Sequence, residues 1–229
     1  MTKETAPLEE QILSYEKLGK ASVSRRKFLG YAGATMGLAT LAACSKDDDD
    51  GVDLGSGDTG ILNYAYALEQ LEAAFYTQVV ASATTGLSAT EMSFMTDIRD
   101  HEIAHREFLK AALGGSAIPA LEVDFSTINF SSRASILGTA MAFEDLGVSA
   151  YDGAGYLIKD GGNLLLAGKI VSVEARHAAL IRELISVNTF LGDQVDVNSV
   201  NISRTPAEVL SIAGSYIKTK INASNLPTG

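Results

Sequence analysis

The feature that most constrains the fold of this 229-residue chain is a repeated pair of helical segments with acidic residues at matching positions. The first and third segments each carry a glutamate followed, seven residues later, by a tyrosine. The second and fourth each carry a Glu-x-x-His motif, whose two side chains project from one helix face. The repeat predicts two similar helical hairpins. Its members are Glu69 and Tyr76, Glu102 and His105, Glu144 and Tyr151, and Glu174 and His177.

Apolar residues recur at helical spacing in four segments, which predicts four long helices. The first and third connections are short, so each joins antiparallel neighbours. Ser88 and Glu91 form a capping-box pattern at the start of the second helix, and Gly192 is predicted to end the fourth. The predicted helices run over residues 58–82, 89–113, 132–160 and 163–191.

The second connection is long, residues 114–131. Such a linker could span about 59 Å at roughly 3.3 Å per residue, whereas a helix of about 25 residues measures roughly 37 Å. The sequence therefore predicts an all-α four-helix bundle with one long crossover between helices 2 and 3, and its apolar residues predict that the crossover packs along the bundle. Thr205, Pro206 and Glu208 predict a short fifth helix to about Ile217, on the outside of the bundle or on a partner chain.

The four glutamates of the repeat lie at similar distances from the predicted turns near residues 85 and 161. They should therefore meet near mid-bundle, where each unpaired carboxylate would cost several kcal/mol. Two divalent cations would remove that cost, with the imidazoles completing their shells. The alternative is a bundle without metal, in which the acids pair with Arg106, Lys169 and Arg176.

This pattern resembles the ligand set of ferritin-like di-iron and di-manganese proteins. The resemblance covers residues 58–191 and implies a ferritin-like bundle holding two Fe ions, or two Mn ions. The local sequences LEQLEAAFY, HEIAHREFL, FEDLGVSAY and VEARHAALI resemble the ferritin-like family named for desiccation-related proteins. The implied bridging carboxylates are Glu102 and Glu174. The implied metal ligands are Glu69, Glu102, His105, Glu144, Glu174 and His177.

The resemblance implies a reaction of the reduced metal pair with H2O2 or O2, and hence an oxidoreductase that protects the cell envelope against stress. Tyr76 and Tyr151 are candidate catalytic residues that contact the centre or relay an electron, and the alternative is that they are core residues. A second hypothesis is a non-catalytic, surface-tethered module in which metal only stabilises the bundle. Iron storage in a soluble cage ranks last, because a lipid anchor would oppose it.

Several neighbouring residues stay open as alternatives. Glu72 shares a face with Glu69, but its counterpart in the second half is Gly147, so Glu69 is the better ligand candidate. His101 points about 100° away from Glu102 and is predicted to be a surface residue. The candidates for contacts to the outer nitrogens of the histidines are Asp97, Asp100 and Asp145.

The N-terminal residues predict an exported lipoprotein. Arg25-Arg26-Lys27 precedes an apolar run that is shorter than the roughly 20 residues of a membrane-spanning helix, which is typical of a signal peptide and resembles a twin-arginine signal. Leu41-Ala42-Ala43-Cys44 resembles a lipobox, so Cys44 is the predicted lipidation site. The alternative is a buried N-terminal helix with a core cysteine. The predicted regions are a signal peptide (1–43), an acidic flexible tether (44–57), the bundle (58–191) and a C-terminal extension (192–229).

These motifs predict that the membrane is a partner, through a lipid at Cys44, and that the protein is anchored to the envelope. The acidic run Asp47–Asp50 resembles a signal for the outer membrane or cell surface. The formal net charge of -10 argues against binding to nucleic acid. The oligomeric state stays open, and a homo-oligomer is one alternative.

Overall fold

Four long helices in two antiparallel hairpins make up most of the computed structural model, which describes residues 51–228. The hairpins pack against each other, so the predicted all-α four-helix bundle is confirmed. A 3-10 turn, Gly114–Ser116, follows the second helix. The helices are α1 (Gly57–Ala81), α2 (Ala89–Leu113), α3 (Arg133–Gly155), α4 (Gly161–Ile185) and α5 (Pro206–Ala213), and the strands are β1 (Val52–Asp53) and β2 (Ile221–Asn222).

Two helices, α2 and α5, start at the predicted caps. Ser88 and Glu91 form the capping box of α2, and Thr205 and Glu208 form that of α5. The fourth helix begins two residues earlier than predicted, because the Asp160 carboxylate accepts hydrogen bonds from the Gly162 and Asn163 amides.

The predicted helix ends are less accurate. The fourth helix was predicted to continue to Leu191, but α4 ends at Ile185. Beyond it, the Glu183 carboxylate accepts hydrogen bonds from the amides of residues 188–190, and Asn188 adopts a left-handed conformation with φ 67°. These local bonds replace the helical ones. Likewise α3 ends at Gly155 and α5 at Ala213, before the predicted residues 160 and 217.

The crossover between α2 and α3 packs along the bundle, as predicted. Its side chains Ile118, Phe125 and Ile128 are buried. Two polar side chains of α1 hold its backbone: Asn63 bonds the Ser116 carbonyl and the Ile118 amide, and Gln70 accepts from the Leu121 amide.

The segment just before α1 is ordered and packed, so the predicted flexible tether was wrong for residues 51–56. β1 pairs in parallel with β2 near the C-terminus, joining Val52 to Ile221 and Asp53 to Asn222, and Leu54 is fully buried. The predicted signal peptide, Cys44 and the remainder of the tether lie outside the described residues.

The C-terminal extension packs on α3 through α5, whose residues Val209 and Ala213 are fully buried. Gly153 on α3 permits this contact, because a Cβ there would lie 1.8 Å from the Arg204 carbonyl oxygen. Among residues 51–228, no helix combines the length and the apolar character that crossing a membrane requires.

Candidate metal centre

The six residues proposed as metal ligands meet in the interior of the bundle. α1 and α3 each contribute one glutamate, and α2 and α4 each contribute a glutamate and a histidine one helical turn apart. All four glutamates are fully buried, and His177 is 4% exposed. The His105 side chain is 14% exposed. The six residues are Glu69, Glu102, His105, Glu144, Glu174 and His177.

Each histidine faces three of the four carboxylates. Nδ1 of His105 lies 2.8 Å from Glu174, 3.5 Å from Glu69 and 3.6 Å from Glu102. Nδ1 of His177 lies 2.9 Å from Glu102, 3.4 Å from Glu144 and 3.7 Å from Glu174.

Glu102 and Glu174 each direct one oxygen toward each histidine. Glu102 places Oε2 near His105 and Oε1 near His177, and Glu174 places Oε1 near His105 and Oε2 near His177. Glu69 and Glu144 each contact one histidine. If two cations occupied the centre, Glu102 and Glu174 would bridge them, and Glu69 and Glu144 would be terminal ligands.

Most of the polar atoms at this centre have no hydrogen-bond partner. In the described part of the chain, eleven buried side-chain polar atoms lack such a partner, and eight of them belong to these six residues. Their mutual contacts are within ion-pairing distance, yet none has hydrogen-bond geometry. Unpaired buried polar atoms are costly, so eight of them directed at one another indicate a site for cations.

The eight atoms divide into two groups of four, each suited to one ion. One group combines His105 and Glu69 with the shared Glu102 and Glu174, and the other combines His177 and Glu144 with the same pair. The ligand atoms within a group all lie within 4.8 Å of one another. Carboxylate oxygens with one imidazole nitrogen suit iron and manganese better than soft-ligand metals, so the residues fit a pair of such ions.

The two tyrosines of the repeat form hydrogen bonds with the terminal carboxylates, Glu69 and Glu144. The Tyr76 hydroxyl donates a hydrogen bond to Oε1 of Glu144, and the Tyr151 hydroxyl donates one to Oε1 of Glu69, both at 2.5 Å. Each tyrosine therefore bonds the glutamate from the other half of the repeat. These bonds leave each terminal carboxylate with a single free oxygen, which faces a histidine.

Burial and charge shift the pKa values of these groups in opposite directions. Burial raises the pKa of Glu69, and it raises that of Glu144 to about 8. Burial acts in the same direction on Glu102, but contacts with His105 and His177 outweigh it and lower its pKa to about 2.

Burial would lower the pKa of both histidines, but the surrounding carboxylates outweigh it and raise each pKa to about 12. Without a cation, His105 and His177 are therefore charged at neutral pH. A metal must displace their Nδ1 protons, so binding should release protons.

Glu72 is a further buried carboxylate beside the centre, and it is 4% exposed. Burial, together with repulsion by the ligand carboxylates, raises its pKa well above the usual range. Gly147 on α3 makes room for it, since a Cβ there would lie 3.1 Å from Glu72 Oε1. The two four-ligand groups contain Glu69 and not Glu72.

The contacts around the centre differ from those expected. His101 is exposed, as predicted. It also contacts the outer nitrogen of His177, which was not predicted. Two of the three proposed aspartates are engaged elsewhere, because Asp145 pairs with Arg182 and Asp100 with Arg99.

The alternative of a bundle stabilised by ion pairs also finds no support at Arg106, which pairs with Glu107. Within residues 51–228, the basic groups within 4.0 Å of the four buried glutamates are the two histidines. No arginine or lysine of the described residues therefore neutralises these four glutamates.

Comparison with known proteins agrees with this arrangement. No curated protein matches the chain. The family model described as the ferritin-like domain matches residues 57–187, more than half of the chain, from the first residue of α1 to just beyond α4. The matched segment contains all six residues of the centre, and the chain belongs to the ferritin-like domain family.

Proposed function

We propose that this protein is a di-metal oxidoreductase that holds two iron ions, or alternatively manganese, and reacts with H2O2 or O2. The observation that supports this function is the pair of four-ligand groups that share Glu102 and Glu174. A site built only to stabilise the bundle would need no second ion and no bridging pair. Two adjacent redox ions, by contrast, suit a two-electron reaction.

Charge balance favours two divalent ions. The four ligand carboxylates carry four negative charges, which two divalent cations neutralise while both histidines become neutral donors. Glu102 and Glu174 would hold the two ions close together, because each belongs to both four-ligand groups. When bound in its reduced form, the iron pair supplies the two electrons that convert H2O2 to two molecules of water.

That reduction also consumes two protons, and the chain holds protons next to the centre. The Tyr76 and Tyr151 hydroxyls hold protons that they donate in hydrogen bonds to the Oε1 atoms of Glu144 and Glu69. Glu72, with its raised pKa, holds another proton in the same interior. We infer that Glu72 supplies a proton during turnover. Burial raises the pKa of the Tyr76 and Tyr151 hydroxyls well above the usual range, so the tyrosines keep their protons and act by holding the two carboxylates in place.

The test is anaerobic loading with Fe(II) followed by addition of H2O2 in a stopped-flow spectrometer. We expect iron oxidation within seconds in the wild type and a loss of at least tenfold in rate in Glu102→Gln, which removes one shared oxygen donor. Glu107→Gln, on an exposed position of the same helix, is the matched control and should oxidise iron at the wild-type rate. Equal rates in all three proteins would contradict the proposal.

A second candidate function is a non-catalytic protective module whose metal only stabilises the fold. The burial of the acids supports it equally, since any divalent cation would relieve their repulsion. The two candidates differ in one result. A structural module would bind metal and melt at a lower temperature without it, but its bound Fe(II) would not be oxidised by H2O2 faster than free Fe(II).

We also propose that the protein is exported and anchored to the cell envelope, on the outer membrane or cell surface, where it protects against oxidative or desiccation stress. The support is the twin-arginine-like and lipobox-like sequences ending at Cys44. Seven residues from Cys44 to Gly51 span at most about 25 Å, so an anchor would hold the bundle close to the membrane. Cys44→Ala should move the protein from the membrane fraction to the soluble fraction, and unchanged fractionation would contradict the anchor.

A further inference from the structure

A histidine on the surface of the bundle contacts one inside it. Nδ1 of the exposed His101, on α2, lies 2.9 Å from Nε2 of His177, on α4. The ring centroids are 5.2 Å apart and the ring planes differ by 11°. That separation equals the N···N distance plus the two ring radii, so the rings lie edge to edge in nearly one plane. The contact is therefore a well-aligned hydrogen bond rather than face-to-face stacking.

The direction of this hydrogen bond follows from the other face of His177. Nδ1 of His177 faces the carboxylates of the centre, with Glu102 at 2.9 Å. A nitrogen that binds a cation must be unprotonated, so the ring proton of the neutral imidazole lies on Nε2. Nε2–H of His177 then donates to Nδ1 of His101. The acceptor fixes both the tautomer and the orientation of the metal-facing ring.

The other half of the centre lacks this acceptor at the equivalent position. His101 lies four residues before His105 on α2, and the residue four before His177 on α4 is Val173. A valine side chain cannot accept a hydrogen bond. The two metal positions are therefore alike in their ligands but differ in what supports their histidines.

We propose that His101 is a positioning residue that makes the two metal positions unequal, so that the position containing His177 and Glu144 binds its ion more tightly and fills first. The inference rests on the proposed metal centre but not on its catalytic activity. Removing an outer partner of a metal-binding histidine typically weakens metal affinity about 10- to 100-fold, so the two positions should differ by a factor of that order.

The test is a Zn²⁺ titration of the metal-free full-length chain with ¹⁵N-labelled histidine, followed by NMR. Zn²⁺ is a diamagnetic probe of the ligands. In the wild type, the His177 signals should shift with the first equivalent and the His105 signals with the second. In His101→Leu, the affinity of the first step should fall about 10- to 100-fold, and both histidines should respond together.

Two further variants separate hydrogen bonding from a general structural effect. His101→Asn places an amide oxygen at the same number of bonds from the backbone as Nδ1, so it should restore the order of filling. Val173→His offers the missing acceptor to His105 and should raise the affinity of the second step. Circular dichroism of the metal-free wild type and variants checks that each keeps the helical fold before its affinities are compared.

The outcomes distinguish this inference from the metal centre itself. If Zn²⁺ binds but shifts His105 first, or if His101→Leu leaves the order and both affinities unchanged, the role of His101 is wrong while the centre stands. If a folded wild-type chain binds no Zn²⁺, the metal centre is wrong, and the inference fails with it.

Discussion

Tyr76 and Tyr151 decide how the terminal carboxylates are presented to the metal positions. Each is buried in the bundle and donates a 2.5 Å hydrogen bond to one oxygen of a buried glutamate. The second oxygen of that glutamate is thereby directed at a histidine. The tyrosines act as orienting groups whether or not they also take part in proton transfer.

Replacing either tyrosine by phenylalanine should destabilise the metal-free protein by about 1–3 kcal/mol, because a buried carboxylate oxygen loses its donor. Urea unfolding of Tyr76→Phe and Tyr151→Phe measures this loss. The matched control is Tyr156→Phe, since Tyr156 is 63% exposed and its change should be within about 0.5 kcal/mol. Equal stabilities for all three variants would contradict the orienting role.

That these six side chains meet in the interior could be predicted from the sequence for a simple physical reason. A Glu-x-x-His spacing places both side chains on one helix face whatever the partner helix is, and the duplication supplied the same pattern twice. The contact between His101 and His177 could not be predicted in this way, because it depends on how α2 and α4 pack against each other. Helical periodicity within α2 alone places it away from Glu102, yet its ring reaches His177.

At the scale of the elements, close backbone contacts join the C-terminal extension to the bundle. The backbone at Arg204 approaches α3 at Gly153, where a side chain would have no room. The Arg204 amide also donates to the Ser149 carbonyl at 3.0 Å. This contact fixes the start of α5 against α3.

Two glycine-to-alanine substitutions in α3 should therefore have opposite effects. Gly153→Ala should destabilise the protein by about 1–3 kcal/mol, as overpacking does, because the new Cβ would collide with Arg204. Gly138→Ala meets nothing within 4 Å and should stabilise it by roughly 0.5–1 kcal/mol through helix propensity. Thermal unfolding of both variants checks the pair, and a stabilising Gly153→Ala would contradict the close packing.

Helix starts could be predicted because caps such as Ser88-x-x-Glu91 are local in sequence. The end of α4 could not, because it depends on Glu183 bonding amides that follow it. The packed structure of residues 51–56 could not be predicted either. It comes from pairing between β1 and β2, which lie at opposite ends of the described chain, and no local pattern encodes such a contact.

For the molecule as a whole, the buried centre links stability to pH. Glu144, with a pKa of about 8 against an ordinary 4.5, is protonated in the folded metal-free protein over a range where the unfolded chain is ionised. His105 and His177, with pKa values of about 12 against 6.5, hold protons that the unfolded chain has lost. Both effects stabilise the fold at low pH and are lost as pH rises.

The metal-free protein should therefore become less stable from pH 5 to pH 8. Glu144 contributes over this whole range, and the two histidines contribute above pH 6.5, each by roughly 1 kcal/mol per pH unit. Glu102, whose pKa is about 2, is ionised across this range and adds stability that is lost only in stronger acid. Bound metal should reverse the trend, because its affinity rises as the ligands lose protons. Urea unfolding with EDTA or with Mn²⁺, at several pH values, measures both slopes.

Glu144→Gln is the control for this linkage, since it removes one titrating group. Its metal-free stability should fall less steeply with pH than that of the wild type. A metal-free wild type that is more stable at pH 8 than at pH 5 would show that the buried groups do not hold their protons in the fold.

The central claim is that four buried carboxylates and two imidazoles hold a pair of ions. The most direct test is the metal-to-chain ratio of protein purified from its native host, measured by elemental analysis. The account predicts a ratio near two, with iron or manganese as the metal. A ratio near zero in a correctly folded protein would contradict it.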